Sequence, residues 1–249
     1  MGRRAHITVS DLLSSPTIAT LIAQLLGLGV VGPIFYFLSL TFGPSASDLL
    51  RSARDRELRT GQVAFILPII LVLHNTEIFA AYLAPSLVSR HFWTWAWQLA
   101  PLRIGVFNFV SAKVTSGFAT SPRIVLVSLG SISATVWVYT LAGSPHPISE
   151  MFFPQAGIPN DLVSQARRAF QLDEIFAFAG CYLWLLYSFV DLRFAGAGGP
   201  SLLMIFALFP ILLMAIGPGA TFAAGWYLRE RALTSSQKAA DSVDRHVVI

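Results

Sequence analysis

Four polar residues in a row, His74, Asn75, Thr76 and Glu77, interrupt an otherwise apolar stretch from Leu67 to Pro85. Inside a bilayer a carboxyl group costs about 2.5–3.5 kcal/mol, so an acid placed there is a functional candidate from the outset. On a helix each residue turns by about 100°, which leaves His74 and Glu77 about 60° apart on one face and turns Asn75 and Thr76 away. His74 and Glu77 can therefore share a pocket, or bond each other or a neighbouring helix. Arg103 lies in the next apolar segment at a depth comparable to Glu77. An ion pair between them is the structural alternative, and it would make Glu77 a poor proton donor.

A second acidic group opens the stretch AFQLDEIFAFAGCYLW, with Asp173 and Glu174 at its head. Glu174, Ala177, Cys181, Trp184, Ser188 and Asp191 recur every three or four residues and define one helix face, acidic at both ends. The alternative is that acids at a helix start only favour its dipole and face water. Asp191 beside Arg193 reads as interfacial capping. Trp93, Trp95 and Trp97 stand close together in FWTWAWQ, where an aromatic belt at the membrane boundary competes with a substrate-facing role. A pocket that combines carboxyl groups, a histidine and aromatic rings suits one chemistry well. A protonated acid donates to an epoxide or alkene, ring faces steady the carbocation, and exclusion of water prevents early quenching. In that reading Glu77, Asp173, His74 and Glu174 are the catalytic candidates, and Trp93, Trp97, Arg103, Trp184 and Asn75 contact the substrate.

The elements that must position these residues are transmembrane helices. The chain has 249 residues, 55% hydrophobic and only 12% charged, with a mean hydropathy of +0.65. Soluble domains carry about 25% charged residues, so lipid is the expected solvent. Apolar segments at about 17–42, 61–85, 92–112, 124–143, 172–192 and 201–228 predict an all-α, polytopic transmembrane bundle of six or seven spans, forming a single domain. Gly217, Pro218 and Gly219 are able to break the last segment into two. The polar tail over 229–249 is expected to be disordered. The link 144–171 is rich in proline and long enough to act as a lid. Residues 45–60 read as a short charged surface helix, and no internal repeat is evident. The polar start, MGRRAHITVSDLLSSP, does not resemble a signal peptide, and Gly2 lacks the serine or threonine of a myristoylation signal.

Whole chemical classes are absent from the sequence. No DDxxD, NDxxD or DxDD run is present to hold magnesium on a diphosphate. The five histidines lack zinc spacing and the single cysteine, Cys181, gives no disulfide framework. Basic residues are scattered, which argues against nucleic acid. No metal and no cofactor are expected.

The stretches LPIILVL with its polar break and LAP, FWTWAWQLAP, and AFQLDEIFAFAGCYLW resemble the fungal integral-membrane terpene cyclases of meroterpenoid pathways. The resemblance covers about half the chain. It implies cyclisation of a farnesyl-type chain, often epoxidised, on an aromatic or polyketide head group, started by a membrane-embedded carboxyl without metal or diphosphate loss. It further implies Asp173 as the acid at the start of its span, His74 and Glu77 in the polar break, a multi-pass protein of the endoplasmic reticulum, and a prenyltransferase and an epoxidase as pathway neighbours. Two rivals use the same residues: a transporter or receptor for a lipophilic small molecule, and a non-catalytic membrane partner whose Glu77–Arg103 pair only fixes helix register.

Overall fold

A computed structural model describes residues 16–51, 65–114, 122–157 and 161–247. The polar start with Gly2, and all of the charged link beyond Arg51 up to Ala64, lie outside the described residues. Those described are helical, with no strand among them. The helices are α1 (Pro16–Leu26), α2 (Leu28–Phe42), α3 (Ala46–Arg51), α4 (Ile66–Leu83), α5 (Leu87–Gln98), α6 (Ala100–Val114), α7 (Pro122–Gly143), α8 (Ile148–Phe152), α9 (Leu162–Phe194), α10 (Leu202–Ile216) and α11 (Pro218–Val247).

Three of them, α4, α7 and α9, are long and apolar enough to cross a membrane, fewer than the six or seven expected. The shortfall has a physical cause in broken helices. Residues 16–42 carry enough apolar length, but the chain parts at Gly27, whose φ of 94° suits glycine and strains other residues. The segment at 92–112 parts at Leu99, and Pro101 in the first turn of α6 brings no N–H to continue α5. Residues 202–247 part at Gly217, φ 83°, with Pro218 opening the next helix as prolines favour.

Two further expectations are corrected. The proline-rich link ends earlier than read, because Asp161 caps α9: its Oδ1 accepts from the Ser164 N–H at 2.9 Å, and the helix starts at Leu162. The tail beyond Arg229 is not a disordered end as far as Val247, since α11 runs on and buries Ala232 and Leu233.

The framework gathers on α9. α2 runs parallel to it, with Gly29 against Asp173, Pro33 against Gly180, and the Ala46 N–H donating to Asp191 Oδ2 at 2.7 Å. Asp191 thus caps α3 rather than serving Arg193. α11 also lies along α9, α10 folds back against α11, and α7 packs on α11. Leu49, Leu185, Phe189, Leu192, Ile205 and Leu233 form the buried core. α4 pairs with α5 as a hairpin and contacts α6, while α1 touches both α2 and α6. Large apolar side chains such as Leu25, Phe37, Tyr82, Val88 and Leu203 remain exposed on the outside. An apolar exterior of this extent calls for lipid or a partner as its solvent.

Candidate functional site

The structure sorts the predicted site residues into two stations. The first lies on the α4–α5–α6 hairpin. Glu77 is buried, its side chain only 5% exposed, and meets Arg103 through two contacts: Nη1 to Oε1 and Nη2 to Oε2, each 2.6 Å. Arg103 Nη2 also donates to the Ala96 carbonyl. Both carboxylate oxygens therefore serve one guanidinium, the bidentate arrangement that Arg makes best. This is the ion pair that the sequence offered as the structural alternative for Glu77. Trp97 Nε1 donates to His74 Nδ1 at 3.2 Å. His74 lies in a π turn, Leu71–Asn75, whose widened backbone is relieved by Thr76 Oγ1 donating to the Leu71 carbonyl at 2.9 Å. Turns of this kind are rare and gather at functional sites. Asn75 sits in the same turn and Trp93 packs on Phe92; neither side chain meets Glu77.

The second station is on α9. Asp173 Oδ1 accepts from the Gly29 N–H, in the first turn of α2, at 2.7 Å. A side chain at Gly27 would collide with that carboxylate, and one at Gly29 would collide with the Asp173 backbone. Glu174 is half-buried and makes no hydrogen bond or ion pair to any described residue. Just below, Gln171 Nε2 donates to the carbonyls of Glu150 and Met151, at 2.9 and 3.0 Å, and so ties α8 to this end of α9. Phe152 of α8 stacks on Trp137. The expected lid is thus a latched strap over the end of the bundle where the acids lie. It borders an open hollow of about 330 Å³ lined by Pro147, Glu150, Phe153 and Pro154.

The two stations do not form the single convergent cluster expected from the span order. α1 lies between them: Thr17 meets Gly105 of α6, and Gly27 meets Asp173. Ten residues of helix separate these contacts, about 15 Å. Asp173 is 21 residues below Phe194, about 31 Å along α9, which matches the roughly 30 Å hydrocarbon core. The α9 acids lie at the lower end of that stretch, as their place at the head of 172–192 implied.

Higher on α9, Trp184 joins a ring cluster with Tyr36 at 5.7 Å, Trp226 at 5.5 Å and Phe222 at 6.1 Å. Arg229 covers the Trp184 face, 5.7 Å from its centroid, and pairs with Glu230 at 2.8 Å. The predicted face of α9 holds: Ala177, Cys181 and Ser188 are buried, and Cys181 Sγ donates to Tyr36 Oη at 3.3 Å. Sequence reading missed Tyr36, Phe222, Trp226, Arg229 and Glu230. The available signal was the pair of Gly-x-Gly runs at 27–29 and 217–219, each followed nine residues after its first glycine by a large aromatic residue, Tyr36 and Trp226.

Residues 2–152 match the CtvD domain. The chain belongs to the CtvD domain family. That bears out the family relation expected from the sequence without fixing the activity. Among curated proteins the chain is similar to the FAD-dependent monooxygenase verC1 of Penicillium polonicum, 25% identical over 93% of this chain and 30% of the relative. It is also similar to the FAD-dependent monooxygenase anuJ of Penicillium roqueforti, 26% identical over 84% of this chain and 27% of the relative. The chain therefore spans less than a third of the length of either. No solved structure matches it.

Proposed function

We propose that this CtvD-family chain opens an epoxide on a lipophilic, prenylated aromatic or polyketide substrate by acid catalysis and guides the resulting cation to cyclise, within an endomembrane and in six or seven membrane passes counted with the broken helices. The observation that carries this is Glu174, an unpartnered carboxyl among the described residues, next to Asp173 and three residues along α9 from Gln171, which ties down α8. Glu77 is a weaker acid candidate because Arg103 occupies both its oxygens. In the proposed step the Glu174 O–H gives its proton to the epoxide oxygen as the C–O bond breaks. The oxygen stays on the chain as a hydroxyl. An alkene π pair or a head-group oxygen takes the carbon cation, and loss of a proton from the product restores the acid, so the net change is an isomerisation. Asp173, held by Gly29, positions the turn. The α8 strap and apolar walls keep water from the cation, and the rings around Trp184 offer faces to positive charge.

The relatives speak for the epoxide rather than the alkene version. Flavin monooxygenases insert oxygen, and this region corresponds to a minor part of proteins so named. Flavin does not fit the residues present here. One run has dinucleotide-loop spacing, Gly27-Leu-Gly29-Val-Val-Gly32, but such loops follow a strand and offer a free helix start to a pyrophosphate. Here a helix precedes the run, and the Asp173 carboxylate fills the Gly29 N–H. We therefore place the oxygenation, and the prenyl transfer before it, on other polypeptides or domains that supply this chain's substrate.

The test is conversion of prenylated aromatic epoxides by microsomes holding the full chain, read by mass spectrometry. Glu174→Gln is expected to abolish cyclised product at unchanged protein level, and Asp173→Asn to lower it. Undiminished product from Glu174→Gln would remove the acid assignment. No conversion by wild type of any epoxide, with specific uptake of the intact substrate, would favour the transporter or receptor reading.

A further inference from the structure

The hairpin station holds a donor that the acid chemistry leaves unused. An indole N–H only donates, so Trp97 Nε1 requires a bare, accepting Nδ1 on His74. The charged imidazolium, with a proton on each nitrogen, cannot accept that bond, and neither can the neutral tautomer with its proton on Nδ1. His74 is thereby fixed as the neutral Nε2–H form. Its Nε2 has no partner among the described residues. The π turn that carries His74 is a costlier backbone than a plain helix, and Trp97 of the facing helix α5 fixes the ring's orientation. One turn away the Glu77 carboxylate is paired with Arg103 through both its oxygens, so the charges beside His74 balance.

We infer that His74 Nε2–H is a binding donor for a neutral carbonyl oxygen, a ketone, ester or lactone, on the head group of a lipophilic ligand. The balanced Glu77–Arg103 pair leaves no net charge to hold a carboxylate or phosphate, and the absence of a competing partner among the described residues leaves the donor available. Trp97 acts as a positioning residue that selects the tautomer. The inference deepens the proposed function and rests on it, since it gives the substrate a second point of attachment apart from the α9 acids. Ester carbonyls of lipids have the same chemistry, so the test must separate the two sources.

The full chain, labelled with 15N-histidine, is placed in nanodiscs of ether lipids, which lack ester carbonyls. His74 is assigned by comparison with His74→Phe. The probes are a farnesyl-substituted acetophenone and the same compound with its carbonyl reduced to methylene. The expected result is Nε2 as the protonated nitrogen, with its N–H moving downfield on adding the ketone and not the hydrocarbon. Trp97→Phe is expected to populate the Nδ1–H tautomer and weaken ketone binding about tenfold, one hydrogen bond's worth. An Nδ1–H tautomer in wild type, or equal responses to both probes, overturns the inference. A response in ester-lipid discs without probe, coupled with none to the ketone in ether lipid, shows a lipid ligand and overturns it as a substrate site. Turnover is read separately: cyclised product with a silent His74 sinks this inference alone, whereas a ketone response in a chain that makes no product sinks only the acid reading.

Discussion

Two of the three broken segments, those that part at glycine, share a backbone device and differ in what they face. At Gly27 and at Gly217, each the first glycine of a Gly-x-Gly run, the chain adopts a positive φ, resumes as a helix at the next residue, and runs on parallel to α9. Tyr36 and Trp226, at matching places, both reach Trp184. The first break meets a carboxylate, Asp173. The second meets neutral groups: Trp137 Nε1 donates to the Met214 carbonyl at 3.1 Å, and Tyr182 Oη donates to the Pro218 carbonyl at 2.7 Å. The break is thus architecture, and the neighbour supplies the chemistry. A helix start offers free N–H groups and partial positive charge to an acid, whereas a helix end offers carbonyls to an indole.

The largest effect that would break this comparison is at the charged break. Gly27→Ala places a side chain at positive φ, about 1–3 kcal/mol of strain, and against Asp173 as well. The folded fraction recovered in detergent should collapse, and adding Asp173→Ala should restore part of it by removing the collision alone. If Gly27→Ala is as stable as wild type, the break is not what positions Asp173. Arg103→Gln comes next. It strands a buried carboxylate, and the expected loss is about 3 kcal/mol, the lower end for a buried pair because the guanidinium is one-third exposed. Thermal unfolding of the double variant with Glu77→Gln should recover most of that loss.

At the neutral break, Tyr182→Phe removes one hydrogen bond and should cost about 1 kcal/mol with no change in cyclised product. A loss of product instead would bring the second break into the chemistry. The smallest effect is at the start of α9. The Ser164 amide holds the Asp161 carboxyl below the usual aspartate range. Its contribution is fully present above the unfolded value and fades as pH falls through the lowered folded value. The stability gap between wild type and Asp161→Ala should therefore be constant near neutral pH and close on acidification, as read by unfolding midpoints across pH.

Residue types decided a good deal without a fold. Few charges in a long apolar chain pointed to membrane helices, because no other spanning structure short of a closed barrel satisfies the backbone in lipid, and three of the described helices are long and apolar enough to cross. The spacing along 174–191 foretold the buried face of α9, since a helix repeats its face every three or four residues. Glu77 and Arg103 were legible as possible partners from their depth alone. Span boundaries were less legible: glycine and proline announce a break but not whether the segment still crosses as one. The tail was misread from its polarity, because α3 and α10 bury Ala232 and Leu233 from outside the tail's own sequence.

Only the tertiary structure decided which acid is free. Asp173 and Glu174 are neighbours of one chemical type, and helix periodicity puts them on different faces without saying what each face meets. The first is held because α2 begins against it, and the second has no partner among the described residues. The same holds for His74, whose tautomer is set by an indole 23 residues away. Composition and periodicity fix solvent and secondary structure because those depend on each segment's own side chains. Protonation and partner choice depend on what the rest of the chain brings within about 3 Å.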